Sequence, residues 1–199
     1  MENKTFITAD AERNIPVTEP ERQYYFIEKA KEKLTKLKEE EKREFTFCVT
    51  TFGCQMNVHD SQWLGRALTA RGFMEAPLEE AQVVVVNTCS VREKPEQKVM
   101  SALGRIRQVT GGSPDVLVGV AGCVAQQLGE AFFTKESQVR LVAGSDGISG
   151  APAAIERLLE EPGLKLSLLD FTSHYAEREA GPETAEGPSD PVAYINIMQ

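Results

Sequence analysis

Three of the four cysteines fall at corresponding points of a repeating sequence pattern. Cys54, Cys89 and Cys123 each follow an apolar run, in the letters TTFGC, VVVVNTC and VLVGVAGC. They are 35 and 34 residues apart, which is about the length of one strand and one helix. Because the carboxyl ends of parallel strands meet at one edge of a sheet, we expect these three thiols to lie together at that edge.

Three thiolates without an evident fourth ligand favour an iron–sulfur cluster over structural zinc, which takes four ligands. Two alternatives stay open. His59, five residues after Cys54, could complete a zinc site, or the three cysteines could simply be buried as small apolar side chains. Cys48 lies inside its apolar run and is expected in the core. Disulfides are not expected, because the chain is predicted to be cytoplasmic.

Small and polar residues flank the three cysteines. Gly53 and Gly122 precede two of them, where the lack of a side chain lets the backbone approach a bulky ligand closely. Other neighbours could donate hydrogen bonds to cluster sulfurs or cap helices: Gln55, Asn57, Thr88 and Ser90. We expect a helix soon after each cysteine, capped by Asn57 in one case and with Pro95 in its first turn in another. The positive ends of such helices favour thiolates.

A basic stretch follows Cys89. It could contact the phosphates of a polyanion at this edge, or it could be ordinary solvated charge on a helix, and the sequence favours neither reading. The basic residues alternate with Glu93 and Glu96. Those that we expect nearest to the cysteines are Arg92, Lys94 and Lys98, with Arg105 and Arg107 further along.

Short apolar runs alternate with helical patterns from residue 44 onward, which predicts an α/β fold with an open, doubly wound and mainly parallel sheet, Rossmann-like or flavodoxin-like. The predicted strands are 45–51, 73–76, 83–87, 116–121, 139–143 and 166–170. The residues expected to face inward from the helices are Trp63, Leu64, Ala67 and Leu68, then Val99, Leu103 and Ile106, then Val124, Leu128 and Phe132, then Ile155, Leu158 and Leu159.

The predicted domain covers residues 44–173 and is flanked by dissimilar segments. Residues 1–20 read as a loose arm, and 21–43 as an amphipathic helix with the stripe Ile27, Ala30, Leu34 and Leu37. Residues 174–191 read as an acidic linker. The apolar segment 192–199 then reads as the start of a further domain, so the chain is expected to be a fragment.

Composition excludes several classes of protein. The chain has 199 residues, 41% hydrophobic and 26% charged, which is the balance of a globular protein. No apolar run approaches the roughly 20 residues of a membrane-spanning helix, and the first residues lack the pattern of a secretory signal. We therefore expect a cytoplasmic protein without a membrane partner. The net charge of −8 means that any polyanion must be bound locally.

Three segments carry a family resemblance: TFGCQMNVHDSQ, VVVVNTCSVREKPEQKV and VGVAGCVAQQ. Together they resemble the amino-terminal domain of the methylthiotransferases. The letters Gln55-Met56-Asn57 favour the MiaB family, the tRNA-2-methylthio-N6-dimethylallyladenosine synthases, which convert isopentenyladenosine in tRNA to its 2-methylthio derivative. The resemblance implies that Cys54, Cys89 and Cys123 ligate an auxiliary 4Fe-4S cluster whose open iron holds the sulfur to be transferred.

The resemblance also implies parts that this chain lacks. In the family a second 4Fe-4S cluster, in a radical-SAM domain, cleaves S-adenosylmethionine, yet no Cys-x-x-x-Cys-x-x-Cys occurs here. The expected partners are tRNA, bound mainly elsewhere, and proteins that deliver iron–sulfur clusters or sulfur. The chain alone is expected to be inactive in the full reaction. The alternatives are a metal- or nucleotide-binding α/β module without sulfur transfer, and a scaffold whose first helix recruits a partner.

Overall fold

The computed structural model describes residues 21–41, 44–91 and 94–170. The arm, the acidic linker and the apolar segment 192–199 predicted from the sequence lie outside the described residues, as does Arg92. None of the helices in the described ranges combines the length and the apolar character needed to cross a bilayer.

Six strands form one sheet in which every neighbouring pair is parallel. In chain order the strands are β1 (Thr46–Phe52), β2 (Met74–Glu75), β3 (Val83–Thr88), β4 (Leu117–Gly122), β5 (Val139–Ala143) and β6 (Leu166–Leu168). In space their order is β2-β1-β3-β4-β5-β6. The predicted open parallel sheet is therefore confirmed.

Helices cover the sheet on both faces. They are α1 (Glu21–Glu41), α2 (Gln55–Ala70), α3 (Pro95–Val109), α4 (Cys123–Leu128), α5 (Ala131–Lys135) and α6 (Ala151–Glu160), and a short 3-10 helix, Gly147–Gly150, precedes α6. One predicted helix, the one carrying Val124, Leu128 and Phe132, is wrong as a single element. Gly129 ends α4 with a positive φ of 53°, so the chain breaks there and restarts as α5.

Two hydrophobic cores lie on opposite faces of the sheet, and β3 contributes to both. Its residues Val83 and Val85 join one core, and Val84 and Val86 join the other, as the alternation of side chains along a strand requires. A strand buried on both faces reads as a continuous apolar run, which explains the letters VVVV. The first core includes residues of α1, α2 and α6, and the second includes residues of α3, α4 and α5.

Most of the predicted inward faces are buried. Leu64, Leu68, Val99, Leu103, Ile106, Ile155 and Leu158 are fully buried or nearly so. Trp63 and Leu159 are only partly buried and pack against the edge of the first core. The stripe of α1 is buried at Ile27, Ala30 and Leu34, whereas the side chain of Leu37 lies outside those described.

Three strands run one residue further than the sequence pattern predicts. Phe52 pairs with Thr88, and Thr88 pairs with Gly122, so the ladder continues through residues that resemble the start of a turn. At the other end of the sheet β6 stops at Leu168, two residues short of the prediction. The ends of β1, β3 and β4 are therefore level with one another, which fixes the height of the loops that follow.

Truncation of Leu103 should test the second core. Leu103 is fully buried on α3, and we expect Leu103→Ala to lower the free energy of unfolding by about 2–5 kcal/mol, because it removes apolar contacts and leaves a cavity. Val109 on the same helix is 37% exposed, so Val109→Ala is the matched control and should change stability by no more than about 0.5 kcal/mol. Urea denaturation measures both, and equal losses would contradict this packing.

Candidate functional site

The structure brings the three predicted cysteines to one edge of the sheet. Cys54 precedes α2 two residues after β1 ends, Cys89 follows β3 directly, and Cys123 is the first residue of α4 after β4. The strands β1, β3 and β4 are neighbours in the sheet. The backbone N–H of Cys89 donates to the carbonyl of Phe52 at 3.0 Å, which extends the ladder up to the cysteine itself.

The three thiols differ in their surroundings. Cys89 is buried, while Cys54 and Cys123 are half-buried. The Cys54 thiol interacts with that of Cys89, and the Sγ atom of Cys123 lies 3.6 Å from the hydroxyl of Ser145. Among the described residues, no three His, Cys, Asp or Glu side chains form a group that could hold one metal ion. The role of the three cysteines as ligands therefore stays a prediction.

The pKa of Cys54 is lowered although partial burial opposes ionisation. Burial is the largest single effect and raises the pKa, but the backbone N–H groups of Asn57 and Met56 and the Cys89 thiol together outweigh it. These N–H groups belong to the first turn of α2, which favours a thiolate. Cys48 behaves in the opposite way, since burial raises its pKa. Predicted for the core, Cys48 is in fact half-buried against the second core.

Two buried asparagines connect the loops that carry the cysteines. The amide nitrogen of Asn57 donates to the Asn87 side-chain oxygen at 3.1 Å and to the Thr88 carbonyl at 3.2 Å. In return the Asn87 amide nitrogen donates to the Asn57 carbonyl at 2.9 Å and to the Ser61 hydroxyl at 3.0 Å. Asn57 is 3% exposed and Asn87 is fully buried, so these bonds replace water completely.

Asn57 also positions Cys54, though not in the predicted way. The helix α2 begins at Gln55 and Cys54 is its capping residue, so the prediction that Asn57 caps the helix is wrong by three positions. Asn57 is the third helical residue, and its side-chain oxygen accepts hydrogen bonds from the Cys54 N–H at 3.3 Å and from the Cys54 thiol at 3.1 Å. The start of a helix leaves backbone N–H groups unpaired, and the bond from the Cys54 N–H to the Asn57 side chain satisfies one of them.

The two glycines next to the cysteines make room for these asparagines. A side chain at Gly53 would come within 2.5 Å of the Asn57 side-chain oxygen. Gly122 has a φ of +90°, and a side chain there would overlap the Thr88 carbonyl and lie 2.5 Å from the Asn87 side-chain oxygen. In this structure both glycines are required by the protein's own packing. Their predicted role in approach to a ligand stays a prediction.

The other predicted neighbours of the cysteines have different surroundings. Thr88 is buried, and its hydroxyl donates to the Ala121 carbonyl at 3.2 Å, which links β3 to β4. Gln55 and Ser90 are exposed beside the edge. Sequence reasoning missed Asn87 and Ser145. The only indication for Asn87 was a polar residue at the end of a buried apolar run, and Ser145 follows a strand that bears no cysteine.

A cleft of about 770 Å³ opens beside Cys89, between the end of β1 and the first turns of α3. Pro95 is the first residue of α3, as predicted, and Lys94 before it has a positive φ of 52°. Lys94 and Lys98 line the cleft together with Arg105, whereas Arg107 faces Glu136 at 3.7 Å. Phe52 and Gly53 contribute the opposite wall.

The fold and this edge define a doubly wound α/β domain with a cysteine after each of three adjacent strands. Residues 46–144 match the model of the uncharacterized protein family UPF0004, and this range contains all four cysteines. The match ends just after β5, so it covers the strands that carry the site and leaves out α1 and α6.

Curated relatives are more specific. A "tRNA-2-methylthio-N(6)-dimethylallyladenosine synthase" of Nitratidesulfovibrio vulgaris (strain DP4) is 60% identical over 154 residues, which are 77% of this chain and 34% of that protein. Proteins of the same name from Oleidesulfovibrio alaskensis and Lawsonia intracellularis are 59% and 56% identical, covering 33% and 34% of their lengths. This chain belongs to the MiaB family of methylthiotransferases, and it spans about a third of the length of these relatives.

Removal of Asn87 should test the buried polar contacts. Asn87→Ala leaves the Asn57 amide without its partner, and we expect it to lower the free energy of unfolding by about 1–3 kcal/mol. Ser90→Ala, three residues on and exposed, is the matched control and should be neutral within about 0.5 kcal/mol. Thermal unfolding followed by circular dichroism compares the two, and an Asn87→Ala variant as stable as the control would refute the role of the pair.

The opposite pKa shifts of Cys54 and Cys48 predict an order of alkylation in the metal-free protein. A lowered pKa means that more of Cys54 is thiolate near neutral pH, so iodoacetamide should modify Cys54 before Cys48. Raising the pH should narrow the difference, because the Cys48 thiol ionises only at higher pH. Peptide mass spectrometry at short reaction times gives the order, and faster modification of Cys48 would contradict the assignment.

Proposed function

We propose that this chain is the sulfur-donor domain of a tRNA methylthiotransferase, and that Cys54, Cys89 and Cys123 hold its auxiliary 4Fe-4S cluster. The observation that carries the proposal is the placement of one cysteine after each of three adjacent parallel strands, at one edge of the sheet. Relatives named as tRNA-2-methylthio-N(6)-dimethylallyladenosine synthases support the reaction class.

The donor set suits a cluster. A single metal ion needs its donors to converge on one point at about 2.3 Å from each sulfur, and no such group of three occurs within the described residues. A four-iron cluster binds each thiolate on a different iron, so its ligands only need to face a common space. Three soft thiolates without a carboxylate among them are the ligands that iron–sulfur clusters prefer.

The chain's own residues would hold and tune the cluster. The first turn of α2 stabilises the Cys54 thiolate, and the Asn57–Asn87 pair fixes the Cys54 backbone relative to the end of β3. Ser145 can donate a hydrogen bond to the Cys123 sulfur, which is the kind of contact that tunes a cluster. When bound, such a cluster would supply sulfur for transfer to the isopentenyladenosine base.

The full reaction needs parts that this sequence does not contain. The second 4Fe-4S cluster and S-adenosylmethionine, which the family uses to activate the base, would require the cysteine triplet that is absent here. We therefore expect this chain alone to bind a cluster but not to methylthiolate tRNA. Proteins that deliver iron–sulfur clusters or sulfur are its expected partners, along with tRNA.

Cluster assembly provides the test. After anaerobic reconstitution with iron and sulfide, we expect about four iron and four sulfide per chain, with the broad visible absorption of a 4Fe-4S centre. Substitution of Cys54, Cys89 or Cys123 by alanine should strongly reduce both contents. Cys48→Ala is the matched control, because Cys48 lies within β1 rather than at its carboxyl end, and it should bind iron as the unaltered chain does.

The same measurement separates the proposal from its competitors. Stoichiometric zinc with no acid-labile sulfide would favour the metal-binding module instead. Iron content that stays unchanged in Cys89→Ala would remove the central ligand from the proposal and contradict it. Circular dichroism of each variant shows whether a loss of iron reflects a missing ligand or a missing fold.

A further inference from the structure

The cleft beside Cys89 concentrates positive charge on an acidic chain. Its described lining contains Lys94, Lys98 and Arg105 but no Asp or Glu, although the chain carries a net charge of −8. A cleft lined by one sign of charge attracts ligands of the opposite sign even when the whole molecule repels them. The volume of about 770 Å³ lies in the range of ordinary ligand sites.

Two of the three cations lie on α3, and the third, Lys94, directly precedes it. Arg105 is seven residues after Lys98, a spacing that places both side chains along one side of the helix. None of the three forms an ion pair with a residue in the described ranges, whereas Arg107, which does not line the cleft, pairs with Glu136. Within the described ranges, the charges that face the cleft are therefore not neutralised by an acidic side chain.

The opposite wall offers an aromatic ring. Phe52, the last residue of β1, lines the cleft and is 37% exposed. By contrast, Phe45, just before the same strand, and Phe47, near its start, are 1% exposed. An exposed aromatic ring next to a row of cations is the arrangement by which proteins hold single-stranded nucleic acid, with bases stacked and phosphates paired.

The cleft borders the proposed cluster site without coinciding with it. Cys89 lines the cleft, but Cys54 and Cys123 are absent from its lining. Lys94 holds a left-handed backbone conformation, uncommon for a residue other than glycine, and such strain is found most often at functional sites.

We propose that this cleft binds a single-stranded segment of the substrate RNA, with a base stacked on Phe52 and phosphates held by Lys94, Lys98 and Arg105. The choice of RNA as the anion rests on the proposed function, while the cations and the ring rest on the structure alone. The bound RNA would then lie next to Cys89, which lines the cleft.

Charge removal tests the phosphate contacts. The probe is a fluorescein-labelled oligoadenylate RNA, titrated with the 199-residue chain by fluorescence anisotropy at several salt concentrations. We expect the triple variant K94Q/K98Q/R105Q to bind at least about tenfold more weakly, and the slope of log affinity against log salt to fall by about 2. The control K29Q/K31Q/K36Q removes the same charge from exposed positions on α1 and should leave affinity and slope nearly unchanged.

Substitution of the ring tests the stacking contact. We expect Phe52→Leu to weaken RNA binding about tenfold at an unchanged salt slope, because the side chain stays apolar but loses its aromatic face. Phe52→Trp keeps an aromatic face and should retain affinity. Thermal unfolding of each variant shows whether it is folded as the unaltered chain is, so a loss confined to Phe52→Leu reports on stacking.

Several results would overturn this inference. They are absence of RNA binding by the unaltered chain, equal affinity of the two triple variants, and full affinity in Phe52→Leu. If inorganic phosphate displaces the RNA and the RNA affinity of Phe52→Leu is unaffected, the cleft is a site for free anions and not for RNA. Iron content distinguishes this inference from the proposed function, since no substituted residue is a thiol. Normal iron content with unaltered RNA binding in every variant would overturn only the RNA site in the cleft. Absent iron, with RNA binding lost as expected in the variants, would overturn only the cluster site.

Discussion

The hydrogen bonds between Asn57 and Asn87 are the constraint on which the site depends. The Asn57 amide binds the Asn87 side chain and the Thr88 carbonyl, and the Asn87 amide binds the Asn57 carbonyl. Both residues are buried, so neither side chain can turn without leaving a buried polar group unpaired. The pair joins the first turn of α2 to the end of β3. It therefore fixes Cys54 relative to Cys89 before any ligand binds, and a prearranged site loses less conformational freedom when it is filled.

The remaining features of this edge follow from that pair. Gly53 and Gly122 lack side chains where the asparagines approach, and the positive φ of Gly122 turns the chain directly from β4 into α4. The strand ends are level, so Cys89 and Cys123 lie one residue beyond that level and Cys54 lies two residues beyond it. The two sides of the edge are chemically different: the thiols offer soft ligands, and α3 offers cations beside an aromatic ring. The sulfur-donor function that we propose would need both properties next to each other.

Sequence patterns predict the sheet well because its central strands are buried on both faces, and strands buried in this way consist of continuous apolar residues. The cysteines are predictable for the same reason, since they mark where those runs end. The asparagine pair cannot be predicted in this way, because Asn57 and Asn87 lie 30 residues apart and nothing in the local sequence distinguishes a buried amide from a capping one. That is why Asn57 was expected as a cap and why the glycines were expected to face a ligand. The break at Gly129 likewise depends on local backbone geometry rather than on apolar spacing.

Iron anomalous diffraction from crystals of the anaerobically reconstituted chain would test the central claim most directly. The account predicts one compact iron peak at the carboxyl edge of the sheet, bonded to the sulfurs of Cys54, Cys89 and Cys123, with the Asn57–Asn87 pair unchanged behind it. Iron bonded elsewhere, or a peak that any one of these three sulfurs does not reach, would contradict it.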